Sequence, residues 1–202
     1  MNILFVCTGN TCRSPMAEAL LKHQLPNVNV QSAGVFAGEN ERANQHTIDV
    51  LQSKHIDLND HCSQPVTDKL LDWADVILTM TTQHKQSLIL QYPNFQEKYF
   101  TLKEYVSTAD NKVWDELKAA YADYEAKRTL FIKEHEHKID NSHLDEHIAV
   151  KFHDDIQKIR SLEKGLLNYD ISDPFGGGQM VYLETLEELD KYVKQLVQKI
   201  DI

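Results

Sequence analysis

The sequence predicts an α/β protein: a four-stranded parallel sheet flanked by helices on both faces, with an inserted antiparallel helical hairpin. Three observations predict it. Two continuous apolar runs, Asn2–Cys7 (NILFVC) and Asp75–Met80 (DVILTM), suit strands buried on both faces. Segments of helical periodicity alternate with strand-like segments, which implies crossover connections and a parallel sheet. From Ser107 to Lys164 there is neither glycine nor proline, and the alternation stops.

The elements follow in order. After the first strand, Met16, Ala17, Leu20 and Leu21 form a helical stripe across Ser14–Gln24. Val28–Ser32 alternates as a strand and ends at Gly34, and Ile48, Val50 and Leu51 mark a helix within Ala43–Lys54. The Asp75–Met80 strand leads into a helix over Thr82–Gln91, and Lys98–Tyr105 (KYFTLKEY) reads as the fourth strand. The chain closes in a helix from about Met180 to Lys199, with Leu183, Leu186, Leu189, Val193 and Leu196 on one face.

Residues 107–170 read as an insertion within a single domain of residues 1–202. Trp114, Leu117, Tyr121 and Tyr124 recur at helical spacing and Phe131 extends the stripe. Beyond the polar break Asp140-Asn141-Ser142, a second stripe runs through Leu144, Ile148, Phe152, Ile156, Ile159 and Leu166. Two amphipathic helices joined by a polar turn make an antiparallel hairpin. Its aromatic content exceeds what two helices need to cover each other. Part of it is therefore expected to pack on the body, on a protein substrate, or on a second copy in self-association.

Net charge is −10, which disfavours a nucleic-acid partner, because phosphate backbones need a basic face. No apolar run approaches the ~18 residues of a membrane span. The apolar N-terminus is short and lacks a basic leader, so it reads as a first strand rather than a signal peptide. A cytoplasmic setting is expected, with Cys7, Cys12 and Cys62 as thiols.

The chemistry gathers in Cys7-Thr8-Gly9-Asn10-Thr11-Cys12-Arg13-Ser14-Pro15. A cysteine and an arginine five residues apart are weak evidence alone. Placed between a buried strand and a helix, they occupy the position where open α/β sheets bind ligands. Backbone N–H groups of such a loop converge on an anion, and the helix N-terminus adds positive potential. Gly9 and Asn10 are residue types that tolerate left-handed turns. That field is expected to depress the Cys7 pKa and supply a thiolate. Arg13 offers a planar fork to two phosphoryl oxygens. Ser14 can donate to the Cys7 sulfur. Near the C-terminus, Asp173-Pro174-Phe175 and three glycines form a turn able to bring a carboxyl to the loop as general acid.

CTGNTCRSP resembles the signature loop of the low-molecular-weight protein tyrosine phosphatase family. Ser32-Ala33-Gly34, Ala74-Asp75 and Asp173-Pro174 also match family patterns, so the likeness covers residues 1–106 and 171–202. The resemblance implies catalysis by Cys7, Arg13 and Asp173 through a phospho-cysteine. Thr8, Gly9, Asn10, Thr11, Cys12, Arg13, Ser14 and Phe175 would bind the phosphorylated substrate. Tyrosine-specific members usually carry a bulkier apolar residue at the position of Thr11. The bacterial protein arginine phosphatase branch carries threonine in the run CTGNTCRS. Phosphoarginine on proteins is thus the expected substrate, with phosphotyrosine the alternative. Cys7 and Cys12 flank one tight loop and are expected to form a reversible redox pair. No metal and no cofactor is called for.

Two remoter readings are an arsenate reductase, which would need a further cysteine relay, and a non-catalytic phosphoprotein-binding module, which would be expected to lose Cys7 or Asp173. His143-Leu144-Asp145-Glu146-His147 formally matches a zinc motif but reads as a solvated helix start. Cys62 is assigned no role.

Overall fold

The continuous apolar run at the N-terminus forms an inner strand of the sheet. In the computed structural model, which describes residues 1–107, 109–135, 144–166 and 169–200, β1 spans Asn2–Cys7. Its Ile3, Phe5 and Cys7 enter one core, and Leu4 and Val6 enter another across the sheet. β3 (Val76–Thr79) does the same, with Val76 and Leu78 on the first side and Ile77 on the second. With β2 (Asn29–Gly34) and β4 (Tyr99–Thr101) the strands make a parallel sheet of order β2-β1-β3-β4. The order reverses between β1 and β3, so the loop leaving β1 opens at a topological switch point.

Helix α1 (Arg13–Gln24), α2 (Gln45–Gln52), α5 (Leu102–Val106) and α9 (Gln179–Ile200) contribute to the first core. α3 (Asp68–Trp73) and α4 (Thr82–Gln91) contribute to the second through Leu71 and Leu88. On α9, Leu186, Leu189, Val193 and Leu196 are buried as their spacing predicts, while Leu183 is partly buried.

The fourth strand is shorter than its sequence suggests. β4 ends at Thr101, and Leu102–Val106 turns into α5. The cause is a capping box: Thr101 Oγ1 accepts from Glu104 N at 3.1 Å, and the Glu104 carboxylate accepts from Thr101 N at 3.1 Å. The short α3 and a 3₁₀ turn at Pro93–Lys98 were not expected from periodicity. Thr67 caps α3 by accepting from Leu70 N at 3.3 Å, and Pro93 opens the 3₁₀ turn.

The chain divides into two compact units, Met1–Ser107 with Tyr169–Ile202, and Thr108–Asn168. In the second, α6 (Ala109–His135) packs on α8 (His153–Leu166), which follows α7 (Leu144–Lys151). Leu117, Phe131, Ile148, Phe152 and Ile159 are buried there. Phe152 stands edge-on to Phe131 and Tyr124, with centroids 5.8 and 6.0 Å away. Tyr121 departs from its expected stripe: it is exposed and donates its hydroxyl to Glu163. Lys127 pairs with Asp155 at 2.9 Å. The second expected helix is divided at Phe152, although Phe152 N still donates to Ile148 O and Ile156 N to Phe152 O, both at 3.0 Å. The turn Asp140–Ser142, His143 of the zinc-like motif, and the side chains of Trp114, Leu144, Glu146 and Leu166 lie outside the described residues. Among the described residues no helix is long and apolar enough to cross a membrane, and no group of histidine, cysteine and carboxylate side chains is arranged to hold a metal.

Candidate active site

The loop after β1 curls around the Cys7 sulfur. Asn10 N donates to Cys7 Sγ at 3.3 Å, and Ser14 Oγ lies 3.0 Å from it. Ser14 Oγ also accepts from Asn10 Nδ2 at 2.9 Å. Its single proton is therefore left for Cys7 Sγ or for the Ala33 carbonyl at 3.3 Å.

Asn10 is the loop's internal strut. It takes the left-handed conformation, φ 55°, and is fully buried. Nδ2 also donates to Ser32 Oγ at 2.8 Å, and Oδ1 accepts from Gln64 N at 3.0 Å. Its carbonyl accepts from His61 Nε2 at 2.8 Å. The Asn10 side chain thus faces the protein interior. Gly9, also expected to supply a left-handed turn, does not have positive φ; Asn10 alone carries it in the loop. The glycine that the loop does require is Gly34. A Cβ there would come within 2.5 Å of Thr8 O and 2.9 Å of Asn10 N.

A cavity of about 190 Å³ is lined by Cys7, Thr8, Gly9, Thr11, Cys12, Arg13, Asp173 and Phe175. It unites both segments singled out in the sequence. Arg13 Nη2 donates to Asp173 Oδ2 at 2.8 Å, and Nη1 donates to Ile171 O at 3.4 Å. Asp173 Oδ1 accepts from Phe175 N at 3.1 Å, and the Phe175 ring is exposed. Gly176 turns the chain with φ 79°. A larger cavity of about 820 Å³ is lined by His55, Asp57, His61 and Cys62 and by no residue from Cys7 to Arg13. The residues singled out in the sequence line the smaller one.

The segment carrying Asp173 is moored on both sides. Ile171 N donates to Met80 O at 2.8 Å, and the Asp170 carboxylate accepts from Thr82 N at 2.7 Å. Buried Lys103 reaches Asp170 O and the Glu188 carboxylate, each at 2.6 Å. Glu188 in turn accepts from Ser172 N and Oγ at 3.0 and 2.7 Å. Glu188 titrates below the usual carboxylate range: its burial opposes this, but hydrogen bonds from Lys103 and Ser172 and the lysine charge outweigh it.

Cys12 ends the loop as the N-cap position of α1, with no side-chain cap. Its sulfur lies 3.5 Å from the hydroxyl of fully buried Tyr182 and 3.7 Å from Thr11 Oγ1. Burial first, and then the Cys12 contact, push the Tyr182 hydroxyl above its usual range, so it remains a phenol. Thr11 is fixed through its carbonyl, which accepts from Asn44 N at 2.9 Å and Thr47 Oγ1 at 3.3 Å. Cys62 is exposed and lies outside the smaller cavity.

Sequence reasoning missed His84. The ring is buried, with Nε2 2.8 Å from Thr8 Oγ1 and Nδ1 2.9 Å from Thr81 Oγ1. Desolvation and then the Arg13 charge push its pKa from 6.5 down to about 4, against the opposing pull of Asp173 and Asp170. His61, Gln64, Lys103 and Glu188 also support the site and carry no local sequence signal.

Residues 2–138 match the family model described as low molecular weight phosphotyrosine protein phosphatase. A protein-arginine-phosphatase of Bacillus subtilis (strain 168) is 53% identical over 119 residues, covering 57% of this chain and 79% of that protein. The low molecular weight protein-tyrosine-phosphatase PtpB of Staphylococcus aureus is 44% identical over 109 residues, covering 54% of this chain and 76% of that protein. A solved structure of YwlE arginine phosphatase, a C7S mutant with a phosphorylated active site serine, superposes with a TM-score of 0.68 at 36% identity, covering 100% of this chain and 96% of that one.

The depressed His84 pKa makes stability pH-dependent. The unfolded chain binds a proton near pH 6.5 that the folded protein refuses until about pH 4. The neutral ring's contribution is intact above 6.5 and is lost as pH falls through that window toward about 4. Urea unfolding at stepped pH should show stability declining from 6.5 to 4.5, and His84→Gln should flatten that decline. The lowered carboxylates Asp57, Glu188 and Asp190 act below their ordinary values of 3.8, 4.5 and 3.8, so they leave the range from 6.5 to 4.5 clear. An unchanged slope in the variant would refute the assignment.

Proposed function

Because this chain belongs to the low molecular weight phosphotyrosine protein phosphatase family, we propose that it hydrolyses phosphoarginine on proteins through a phospho-cysteine intermediate. One observation carries the reading. Cys7 Sγ, held by the Ser14 hydroxyl and the Asn10 N–H, shares a small cavity with the Arg13 guanidinium and the Asp173 carboxyl. The likeness to the Bacillus subtilis protein-arginine-phosphatase, together with Thr11 in the cavity wall, supports arginine as the leaving side chain. The phosphorylated serine in the C7S relative supports covalent transfer to this position.

In the first step the Cys7 thiolate attacks phosphorus, the P–N bond breaks, and Asp173 gives its proton to the departing guanidino nitrogen. Arg13 holds two phosphoryl oxygens and follows their charge into the transition state. An incoming phosphoryl group takes the place of Asp173 on Arg13, and the released carboxylate takes up a proton from solvent, which it can then deliver as acid. Water then attacks phosphorus while Asp173 accepts its proton. The S–P bond breaks, inorganic phosphate leaves, and the Ser14 hydroxyl stabilises the returning thiolate. Phe175 forms an exposed wall for the leaving group. Phosphotyrosine is the second reading, favoured by the likeness to PtpB.

Phosphoarginine and phosphotyrosine peptides assayed side by side decide between them. The wild type should favour phosphoarginine in kcat/KM, and Thr11→Ile should shift the ratio toward phosphotyrosine by at least about tenfold. Cys7→Ser should abolish turnover yet still bind inorganic phosphate; turnover within about tenfold of wild type would remove Cys7 from the mechanism. A wild type that prefers phosphotyrosine replaces the first reading with the second.

Cys7 and Cys12 line the same cavity, and we read them as a reversible redox pair. Mild peroxide should inactivate the enzyme and added thiol should restore it. Cys12→Ser should lose most of that recovery, as followed by activity and thiol counting. Equal recovery in the variant excludes Cys12 as the resolving thiol.

We read residues 107–170 as a helical hairpin inserted into the single phosphatase domain and serving self-association or whole-protein substrates. The mutual packing of α6 and α8 supports this. Replacing residues 108–167 by a short glycine linker should preserve folding and leave small-substrate kcat/KM within about twofold, since the insertion carries its own core. Oligomeric state by light scattering, or turnover of phosphorylated proteins, should change. If neither changes, the hairpin is a spacer.

A further inference from the structure

Between the loop and the start of α4 lies a buried imidazole with both nitrogens engaged. His84 Nε2 is 2.8 Å from Thr8 Oγ1, and Nδ1 is 2.9 Å from Thr81 Oγ1. Thr81 is also the N-cap of α4, and its Oγ1 accepts from the His84 backbone N–H at 3.2 Å.

Counting protons separates the two neutral tautomers. A neutral imidazole has one N–H and one acceptor nitrogen. With the proton on Nδ1, the ring would donate to Thr81 Oγ1, which already accepts the backbone amide. The Thr81 hydroxyl proton would then have no acceptor among the described contacts, and Thr8 would give its own proton to Nε2. With the proton on Nε2, the Thr81 hydroxyl donates to Nδ1, and Nε2–H donates to Thr8 Oγ1. Every partner is then used once, and the Thr8 proton stays free. Thr8 is exposed at the rim of the cavity that also holds Cys7 and Arg13.

We infer that His84 is a positioning residue: as the Nε2–H tautomer it fixes the Thr8 hydroxyl so that the Thr8 proton meets an oxygen of the phosphoryl group in transfer. The inference rests on the phosphatase reading and adds a donor to it. The charged groups around the ring agree with a neutral imidazole. Arg13 and burial oppose its protonation, and Asp170 and Asp173 do not reverse them. Thr8 therefore keeps the same hydrogen-bond polarity throughout the neutral pH range.

The test is a double-mutant cycle read by two assays, competitive inhibition by inorganic phosphate and kcat/KM for p-nitrophenyl phosphate. Thr8→Val removes the hydroxyl at constant shape, and His84→Phe keeps a ring without nitrogens. Each should weaken phosphate binding and kcat/KM by about tenfold, the size of a lost hydrogen bond to a charged group. The double variant should also lose about tenfold rather than a hundredfold, because the two residues act as one device. His84→Gln, which retains a donor, should stay within about threefold of wild type. His84→Ala takes the place of the phenylalanine variant if that one does not fold.

Additive losses, wild-type phosphate binding in Thr8→Val, or a glutamine variant no better than phenylalanine would each overturn the inference. A wild type that turns over no phosphorylated substrate sinks the phosphatase reading instead. Phosphate binding measured by calorimetry would still report whether Thr8 and His84 are coupled.

Discussion

The site depends on one buried amide. Asn10 sits in a left-handed conformation that its own short side chain helps to stabilise, and that side chain binds Ser14 on α1, Ser32 on β2 and the backbone of Gln64. Three separate stretches of chain are thereby tied to the loop that encloses Cys7. Losing the amide would strand several buried polar groups, each costing about 1–3 kcal/mol. The amide also sets direction. By donating to Ser14 it leaves the Ser14 proton for Cys7 Sγ or the Ala33 carbonyl, so a structural strut helps orient the hydroxyl beside the proposed nucleophile. Gly34 belongs to the same constraint, because the loop passes too close for any Cβ there.

A second constraint concerns charge. Arg13 is buried, and an unpaired guanidinium there would be costly. Asp173 pairs with it across 160 residues of sequence, and Ile171 O adds a further contact. The chain as a whole is acidic, yet the Arg13 guanidinium lines the cavity beside Cys7. Local field rather than net charge decides what binds. The carboxyl must remain near Arg13 without a rigid embrace, and the mooring is arranged accordingly. Lys103, Glu188 and Thr82 grip Asp170 and Ser172, while Asp173 itself is about half exposed.

How much was legible follows from how local each signal was. β1 and β3 read correctly because strands buried on both faces need unbroken apolar runs. Cys7, Arg13 and Asp173 stood out because their spacing and neighbours carry a chemical pattern, and the fold brings the three to one cavity. The fourth strand was read too long because KYFTLKEY suits a strand until Thr101 and Glu104 are seen as a capping box, a signal that was present in the sequence. The supporting residues were not legible. His84 meets Thr8 across 76 positions, His61 meets Asn10 across 51, and Gln64 meets it across 54. Periodicity and motif spacing report neighbours along the chain, and these contacts exist only once the sheet has formed. Asn10 was singled out for the right conformation, but its side chain faces the interior rather than the cavity.

The two threonines of the loop are held in different ways, and this separates what each can vary. Thr11 is pinned by its backbone carbonyl to Asn44 and Thr47, so its side chain can change size while the main chain stays where α2 places it. Thr8 is held by its hydroxyl to His84, so exchanging it disturbs a buried ring and the cap of α4 as well. A fold that hosts more than one leaving group needs one wall free to change and another that keeps the phosphoryl group in register. The Thr11 position has the first property and the Thr8–His84 pair the second. On the proposed phosphatase reading, leaving-group preference can thus drift at Thr11 while the attack geometry at Cys7 is preserved.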